Sequence, residues 1–240
     1  GGYNMPLHLT GLPFIFMNAT NSLSDMRTLV HEAGHAVHSH LTSHYKLKTS
    51  KRVPSEVAEL AAMTMELLTM EYWDVFFPDP EELKRARIAQ LEYVLKVLPW
   101  IATIDKFQHW IYTHPEHSRE ERKQAWMSTM KSFNSSIIDH SGLEHYLEHL
   151  WHKQLHIFEV PFYYIEYGMA QLGAIAIWKQ FRENPEKAVQ QYYQALKLGY
   201  TRNIREIYQT AGIEFDFSRD HISELGAFVR KELNTLIHQS

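Results

Sequence analysis

Apolar residues recur every three or four positions along most of the chain, which is the spacing of one face of an α-helix. The first predicted helix follows a run of polar cap residues and extends from Met26 to Leu41. A second begins at Pro54 and continues to about Val75. Further helices are predicted over residues 81–98 (resuming beyond Pro99), 118–134, 141–156, from beyond Pro161 to Arg182, 185–198, 202–211 and 219–238.

The first 20 residues have a different pattern. Gly11 and Pro13 precede a short apolar run from Phe14 to Met17. A short apolar run bounded by turn-forming residues is typical of a β-strand. With no internal repeat and no flexible linker, the pattern predicts a mainly α chain with one small β element near its N-terminus, forming a single domain over residues 1–240.

Composition excludes several classes of protein. The 24 Lys and Arg residues are outnumbered by 28 Asp and Glu residues, so no basic field is available to bind a nucleic acid. No apolar stretch approaches the roughly 18 residues that a membrane-spanning helix needs. The chain has no cysteine, which excludes disulfides, a thiol nucleophile and thiolate metal ligands. We therefore expect a cytoplasmic protein without nucleic-acid or membrane partners.

The candidate chemistry lies in the first predicted helix, where residues 31–35 read His-Glu-Ala-Gly-His. Two histidines four residues apart lie on the same face of a helix, so His31 and His35 can reach one tetrahedral zinc ion. Glu32 between them is placed to take a proton from a zinc-bound water that attacks a carbonyl. Gly34 is costly inside a helix and therefore indicates close approach of another backbone.

A zinc site of this type requires a third protein ligand, which the next predicted helix can supply. That helix carries Glu56, Glu59 and Glu66 among apolar residues. Acidic residues on an apolar helix usually form a solvated edge. Next to the histidine pair, a carboxylate from this helix becomes the expected ligand, and the residue pattern leaves open which one.

Residues 31–38, His-Glu-Ala-Gly-His-Ala-Val-His, and residues 53–61, Val-Pro-Ser-Glu-Val-Ala-Glu-Leu-Ala, resemble the oligoendopeptidase F branch of the thimet oligopeptidase family. In that family the first motif reads H-E-x-G-H-x-x-H, and the third zinc ligand is a glutamate followed by another seven residues later. Glu59 and Glu66 reproduce this interval. The resemblance therefore implies His31, His35 and Glu59 as metal ligands, with Glu56 as the alternative to Glu59.

Residues 156–168, His-Ile-Phe-Glu-Val-Pro-Phe-Tyr-Tyr-Ile-Glu-Tyr-Gly, are similar to a second segment of that family. There, a histidine followed by tyrosines faces the zinc and stabilises the tetrahedral intermediate. The resemblance implies this role for His156, Tyr163 and Tyr167, whose N–H and O–H groups can donate to a developing oxyanion. Taken without the resemblance, the segment is typical of an aromatic core helix.

The resemblance covers essentially the whole chain and implies a helical, zincin-like catalytic domain with one Zn²⁺ ion. The implied reaction is hydrolysis of peptide bonds within short oligopeptides, by attack of a zinc-bound water that Glu32 assists. Family members are considerably longer and have an N-terminal helical region that forms the other wall of a deep channel. We therefore expect the chain to be the catalytic C-terminal portion, with that region and short peptides as its partners.

Two other functions remain open at the level of the sequence. A zinc carboxypeptidase on a related helical fold would need a cationic partner for the terminal carboxylate of its substrate, and no single arginine stands out for this. A non-catalytic helical binding module would bind no stoichiometric zinc. The stripe formed by His145, His149 and His152 has metal-like spacing but no matching carboxylate, so we expect no second metal site there.

Overall fold

The computed structural model describes residues 1–7, 9–135 and 137–238. These form two strands, eleven α-helices and two 3-10 helices. The strands are β1 (Gly2–Leu7) and β2 (Leu12–Met17). The α-helices are α1 (Leu23–Leu41), α2 (Lys48–Lys51), α3 (Ser55–Leu68), α4 (Pro80–Thr113), α5 (Arg119–Phe133), α6 (Glu144–Leu147), α7 (His156–Glu159), α8 (Ile165–Glu183), α9 (Pro185–Lys197), α10 (Ile204–Thr210) and α11 (Arg219–His238). The 3-10 helices are Thr69–Val75 and Leu150–Lys153.

The predicted fold class, mainly α with one small β element, is confirmed. The prediction of one helix over residues 141–156 is wrong, because this segment is divided into α6, a 3-10 helix and the start of α7. The carbonyl of Leu147 accepts a hydrogen bond from the Trp126 indole at 2.7 Å, so a tertiary contact replaces the next helical bond. Within the described residues, no helix is both long and apolar enough to cross a membrane.

The chain folds into two compact units. The first comprises the described residues of Gly1–Glu92 and Met169–Ser240, and the second comprises Tyr93–Gly168. Helices α4 and α8 each begin in one unit and end in the other. That residues 1–240 act as a single catalytic domain stays a prediction.

Helix α3 is the buried centre of the first unit. Val57, Ala61 and Leu67 on this helix have no exposed surface. The Tyr192 hydroxyl of α9 donates to the Ala61 carbonyl at 2.7 Å, which ties the two helices together. Because α3 is surrounded in this way, a polar side chain on its buried faces costs free energy unless it finds a partner.

Helix α1 packs on α3 with unusually close backbones at Gly34. A Cβ atom built at Gly34 would lie 2.6 Å from the Ala62 Cα and 2.8 Å from the Ala61 carbonyl oxygen. Backbone atoms cannot give way as a flexible side chain can. The close approach that the sequence indicated for Gly34 is therefore present, and it sets the distance between the helices that carry His35 and Glu59.

Gly34→Ala is expected to lower the free energy of unfolding by about 1–3 kcal/mol, despite the better helix propensity of alanine. The matched control is Gly226→Ala in α11, where a Cβ atom would meet nothing within 4 Å. This control should raise stability by about 0.5–1 kcal/mol. Urea denaturation of the two variants measures both effects, and equal stabilisation by both would contradict the close approach.

The β element is an antiparallel hairpin rather than the lone strand that the sequence predicts. β1 and β2 pair from Gly2 with Met17 to Leu7 with Leu12, and Gly11 before β2 has φ of +71°. The hairpin packs on α1 so closely that a Cβ atom at Gly2 would lie 2.8 Å from Thr28 Cγ2.

The second unit has an aromatic core. Phe107 of α4 lies between Trp126 of α5 and Trp151, with ring centroids 5.1 Å and 5.4 Å apart. Ile104 and Ile157 are buried in the same cluster. This packing accounts for the continuation of α4 through Pro99, since burial of its C-terminal half outweighs the hydrogen bond lost at the proline.

Candidate functional site

Helices α1 and α3 bring His31, His35 and Glu59 together in the first unit. Glu59 Oε2 lies 3.3 Å from His31 Nε2 and 3.9 Å from His35 Nε2. One ligand atom from each of the three residues lies within 4.8 Å of the other two. Two imidazoles and a carboxylate are a donor set that zinc accepts, with a fourth position left for water or substrate. Glu56, in the first turn of α3, is not part of this group.

The Glu59 oxygen that faces the two histidines is placed where it could bind a cation. Glu59 is only 7% exposed, and its Oε2 atom is buried and accepts no well-directed hydrogen bond among the described residues. A buried carboxylate oxygen without a donor costs free energy unless another positive group satisfies it. Its position between two imidazole nitrogens is the arrangement that a metal ion would stabilise.

A buried carboxylate fixes the orientation of His31. His31 Nδ1 lies 2.7 Å from Glu66 Oε1, and Glu66 Oε2 accepts a hydrogen bond from Gln90 Nε2 at 2.9 Å. An ionised carboxylate only accepts hydrogen bonds, so Nδ1 carries a hydrogen in either charge state of the ring, and Nε2, which faces Glu59, has a free lone pair once the ring is neutral. Metal-binding histidines are commonly held in this way by a second layer of residues. His31 is thus a candidate ligand whose orientation is supported by Glu66 and Gln90.

The charges around the group favour a positive charge at His31. Burial opposes protonation of this imidazole, but the facing carboxylates of Glu59 and Glu66 outweigh it and raise the pKa of His31 to about 10. A divalent cation would compete with that proton for the same negative potential. Burial lowers the pKa of His35, which keeps this second imidazole neutral.

Glu32 lies on α1 between the two histidines and is 7% exposed. Burial raises the pKa of Glu32, His31 opposes the rise, and the backbone N–H of Asn4 on β1 hydrogen-bonds to the carboxylate. A carboxylate with a raised pKa is a stronger base than one in water. Glu32 is not one of the three converging ligand groups, so its carboxylate is available for proton transfer.

In the second unit, His156, Tyr163 and Tyr167 form one aromatic group. The His156 ring centroid lies 5.9 Å from that of Tyr163 and 5.7 Å from that of Tyr167, and the two tyrosine rings are 5.5 Å apart. Tyr164 also contacts His156, at 5.0 Å, but burial raises its pKa to about 12 and its hydroxyl interacts with Trp100. The structure thus gathers all three predicted residues, with Tyr164 beside them.

The turn before Tyr163 is held in an uncommon backbone conformation. Phe162 has φ of +62°, in the left-handed region that aromatic residues rarely occupy. Its backbone N–H donates to Gln108 Oε1 at 2.9 Å, and its ring contacts His109 and Tyr112. Backbone of this kind persists only where surrounding contacts impose it, and it is found mainly at functional sites.

Two successive hydrogen bonds, from Trp100 to Gln154 and from Gln154 to His156, set the tautomer of His156. The Trp100 indole donates to Gln154 Oε1 at 3.0 Å, and Gln154 Nε2 lies 2.7 Å from His156 Nδ1. An indole N–H can only donate, so the Gln154 oxygen faces Trp100 and its NH₂ group faces the imidazole. His156 Nδ1 is then the acceptor, and in the neutral ring the hydrogen lies on Nε2. His156 is therefore held as an Nε2–H donor.

The sequence interpretation did not identify Gln90 and Gln154. Each acts through another side chain, and no sequence motif marks its position. The burial of Gln90, which is only 1% exposed, does indicate that its amide must find polar partners. The expectation that the stripe formed by His145, His149 and His152 lacks a matching carboxylate is wrong for the first two histidines. Glu148 offers an oxygen close to both rings, in the only other group of potential metal ligands among the described residues.

Proteins of known sequence and structure resemble this chain over most of its length. It is 26% identical to "Oligoendopeptidase F homolog" of Borreliella burgdorferi over 227 residues, which are 89% of this chain and 35% of that protein. It is 26% identical to "Oligopeptidase PepF" of Bacillus subtilis over 221 residues, or 89% and 32% of the two chains. The chain thus spans about a third of the length of the curated relatives that it matches.

Solved structures share the fold. PZ peptidase A, solved with an inhibitor, superimposes with a TM-score of 0.89 at 30% identity, covering 98% of this chain and 42% of that one. A structure named as an oligoendopeptidase F from Bacillus anthracis gives a TM-score of 0.80 at 27% identity, covering 98% and 39%. The model of peptidase family M3 matches residues 2–227. Because this match spans nearly the whole chain, the chain belongs to peptidase family M3.

Proposed function

We propose that the protein is a zinc-dependent endopeptidase that hydrolyses peptide bonds within short oligopeptides, in the cytoplasm. The observation that carries this proposal is the buried Glu59 oxygen between the imidazoles of His31 and His35, with Glu32 beside them. The metal ion that the family implies is zinc in this proposal, one ion at this site, because two imidazoles and one carboxylate match its catalytic sites.

Each of these residues has a defined role in the proposed reaction. His31, His35 and Glu59 would hold the zinc ion, which when bound supplies Lewis acidity and lowers the pKa of a coordinated water towards 7. Glu32 removes a proton during the attack on the peptide carbonyl and later passes it to the leaving amine. His156, Tyr163 and Tyr167 are proposed to donate hydrogen bonds to the oxygen on which negative charge develops.

The test uses a peptide blocked at both ends, with an N-terminal acetyl group and a C-terminal amide. The zinc-loaded protein should cleave an internal bond, lose this activity on chelation and recover it when zinc is restored. A strict carboxypeptidase would leave the amidated peptide intact, and a binding module would neither cleave it nor bind stoichiometric zinc. An intact peptide after zinc loading would contradict the proposal.

The tyrosines provide a prediction with an internal comparison. Tyr163→Phe or Tyr167→Phe should lower kcat by about 10²–10³-fold, since one lost oxyanion donor costs about that much. KM and zinc content should change little, because such a bond forms chiefly in the transition state. Tyr164→Phe, in which the lost hydroxyl is the one that interacts with Trp100, should spare kcat. Full turnover in all three variants would assign these rings to packing.

Gln154 is predicted to determine which nitrogen of His156 is protonated. ¹⁵N NMR of the imidazole should show hydrogen on Nε2 and an acceptor at Nδ1 in the unsubstituted protein. In Gln154→Glu, the carboxylate accepts from both Trp100 and Nδ1, so Nδ1 should gain a hydrogen. A protonated Nδ1 in the neutral ring of the unsubstituted protein would contradict the assignment, whatever the activity of the variant.

A further inference from the structure

A second group of potential metal ligands lies in the second unit, within the five consecutive residues 145–149. Residues 145–149 read His-Tyr-Leu-Glu-His, and one ligand atom each from His145, Glu148 and His149 lies within 4.8 Å of the others. The two imidazole centroids are 4.9 Å apart. This segment begins in α6 and ends at the residue before the 3-10 helix Leu150–Lys153.

The two rings are accessible, and one is already oriented. His145 and His149 are exposed, whereas Glu148 is partly buried. His149 Nδ1 lies 2.8 Å from the His145 carbonyl oxygen, an acceptor, so Nδ1 carries the hydrogen and Nε2 keeps its lone pair. Nε2 is the atom that remains for a metal ion, and a backbone carbonyl is a common support for a metal-binding histidine.

The neighbouring positive charge does not block the carboxylate. Lys123 Nζ lies 3.7 Å from Glu148 Oε1 but only 3.0 Å from Glu120 Oε2. If Glu148 turns to a cation, Lys123 therefore retains its closer partner. Two imidazoles and a single carboxylate favour a borderline ion such as Zn²⁺, Ni²⁺ or Cu²⁺, since Mg²⁺ and Ca²⁺ prefer oxygen ligands only.

We propose that His145, Glu148 and His149 form a second site for a divalent transition metal, with water completing the coordination. The ion would join His145 of α6 to the two residues that precede the 3-10 helix Leu150–Lys153. The site shares no residue with the group of His31, His35 and Glu59. The inference therefore does not depend on the proposed peptidase function.

Zinc titration of the chelator-treated protein tests this proposal by counting bound equivalents. The unsubstituted protein should bind two equivalents of zinc, and His149→Gln should bind one. The matched control is His238→Gln, because His238 Nδ1 also lies 2.8 Å from a backbone carbonyl four residues earlier, that of Asn234, but the residue belongs to no ligand group. This control should keep both equivalents.

Glu59→Gln separates the two sites, because it should remove the other equivalent and leave this one in place. Glu148→Gln should weaken the second equivalent only. A single equivalent in the unsubstituted protein that Glu59→Gln removes, or two equivalents retained in His149→Gln, would overturn the proposal. Loss of an equivalent in His149→Gln but not in Glu59→Gln would support it while contradicting the zinc site of the proposed function.

Discussion

Glu59→Gln is expected to weaken zinc binding at the histidine pair by more than about a hundredfold, since changes to residues that only support a ligand already cost 10–100-fold. The amide keeps the shape of the side chain but removes the negative charge. It also places an oxygen or an NH₂ group against His31 Nε2 and His35 Nε2, which lie 3.3 Å and 3.9 Å from the present carboxylate oxygen. Competition with a zinc-sensitive chelator dye measures the change.

The control for this experiment is Glu56→Gln on the same helix. Glu56 is outside the converging group, so its substitution should leave zinc affinity nearly unchanged. Glu66→Gln should weaken zinc binding by about 10–100-fold, an effect between those of the other two variants. The reason is that Glu66 acts through its hydrogen bond with His31 Nδ1. A larger loss in Glu56→Gln than in Glu59→Gln would show that the wrong carboxylate has been assigned as the ligand.

Glu32→Gln is expected to lower kcat by about 10²–10⁴-fold while zinc content stays the same, since a general base contributes about that factor. The glutamine amide cannot accept a proton, whereas the Glu32 carboxylate has its basicity raised by burial. The substitution conserves volume in a position that is 7% exposed, so α1 should keep its packing. Single-turnover cleavage of the blocked peptide, together with metal analysis of the same sample, measures both quantities.

Zinc content distinguishes a role of Glu32 in proton transfer from a role in holding the metal ion. A variant that lost both zinc and activity would place Glu32 among the groups that hold the metal ion, and unchanged turnover would remove it from the reaction. His35→Gln is the comparison, because loss of a ligand should reduce zinc content first and activity as a consequence. The two substitutions lie three residues apart on α1, so a difference between them cannot come from the helix as a whole.

The helices could be read from the sequence because a helix is a local pattern. Periodic apolar residues and caps predict α1, α5 and α11 to within a few residues, and the spacing of His31 and His35 follows from 3.6 residues per turn. β1 lies outside the predicted β element, although Tyr3, Met5 and Leu7 alternate with polar or small residues; Pro6 within this run is unfavourable in a strand. In the hairpin, Pro6 pairs with Pro13 on β2.

Contacts between residues that are far apart in the chain determine which side chains meet at the candidate site. The sequence alone could place Glu56 and Glu59 on one helix, but only the packing of α1 against α3 at Gly34 shows which of them lies beside the histidines. At Leu147, where α6 ends, the carbonyl likewise accepts a hydrogen bond from Trp126, 21 residues earlier in the chain. No local propensity contains this information.

The sequence by itself determined the helical class, the histidine pair with its glutamate, and a family resemblance that the match to peptidase family M3 confirmed. All three are carried by residues close together in the chain, where spacing alone sets geometry. Only the tertiary structure revealed the supports supplied by Gln90 and Gln154, which meet Glu66 of α3 and Trp100 of α4. A hydrogen bond or a ligand group between distant elements exists only after the core has packed, because the core sets the separation and orientation of the elements that carry it.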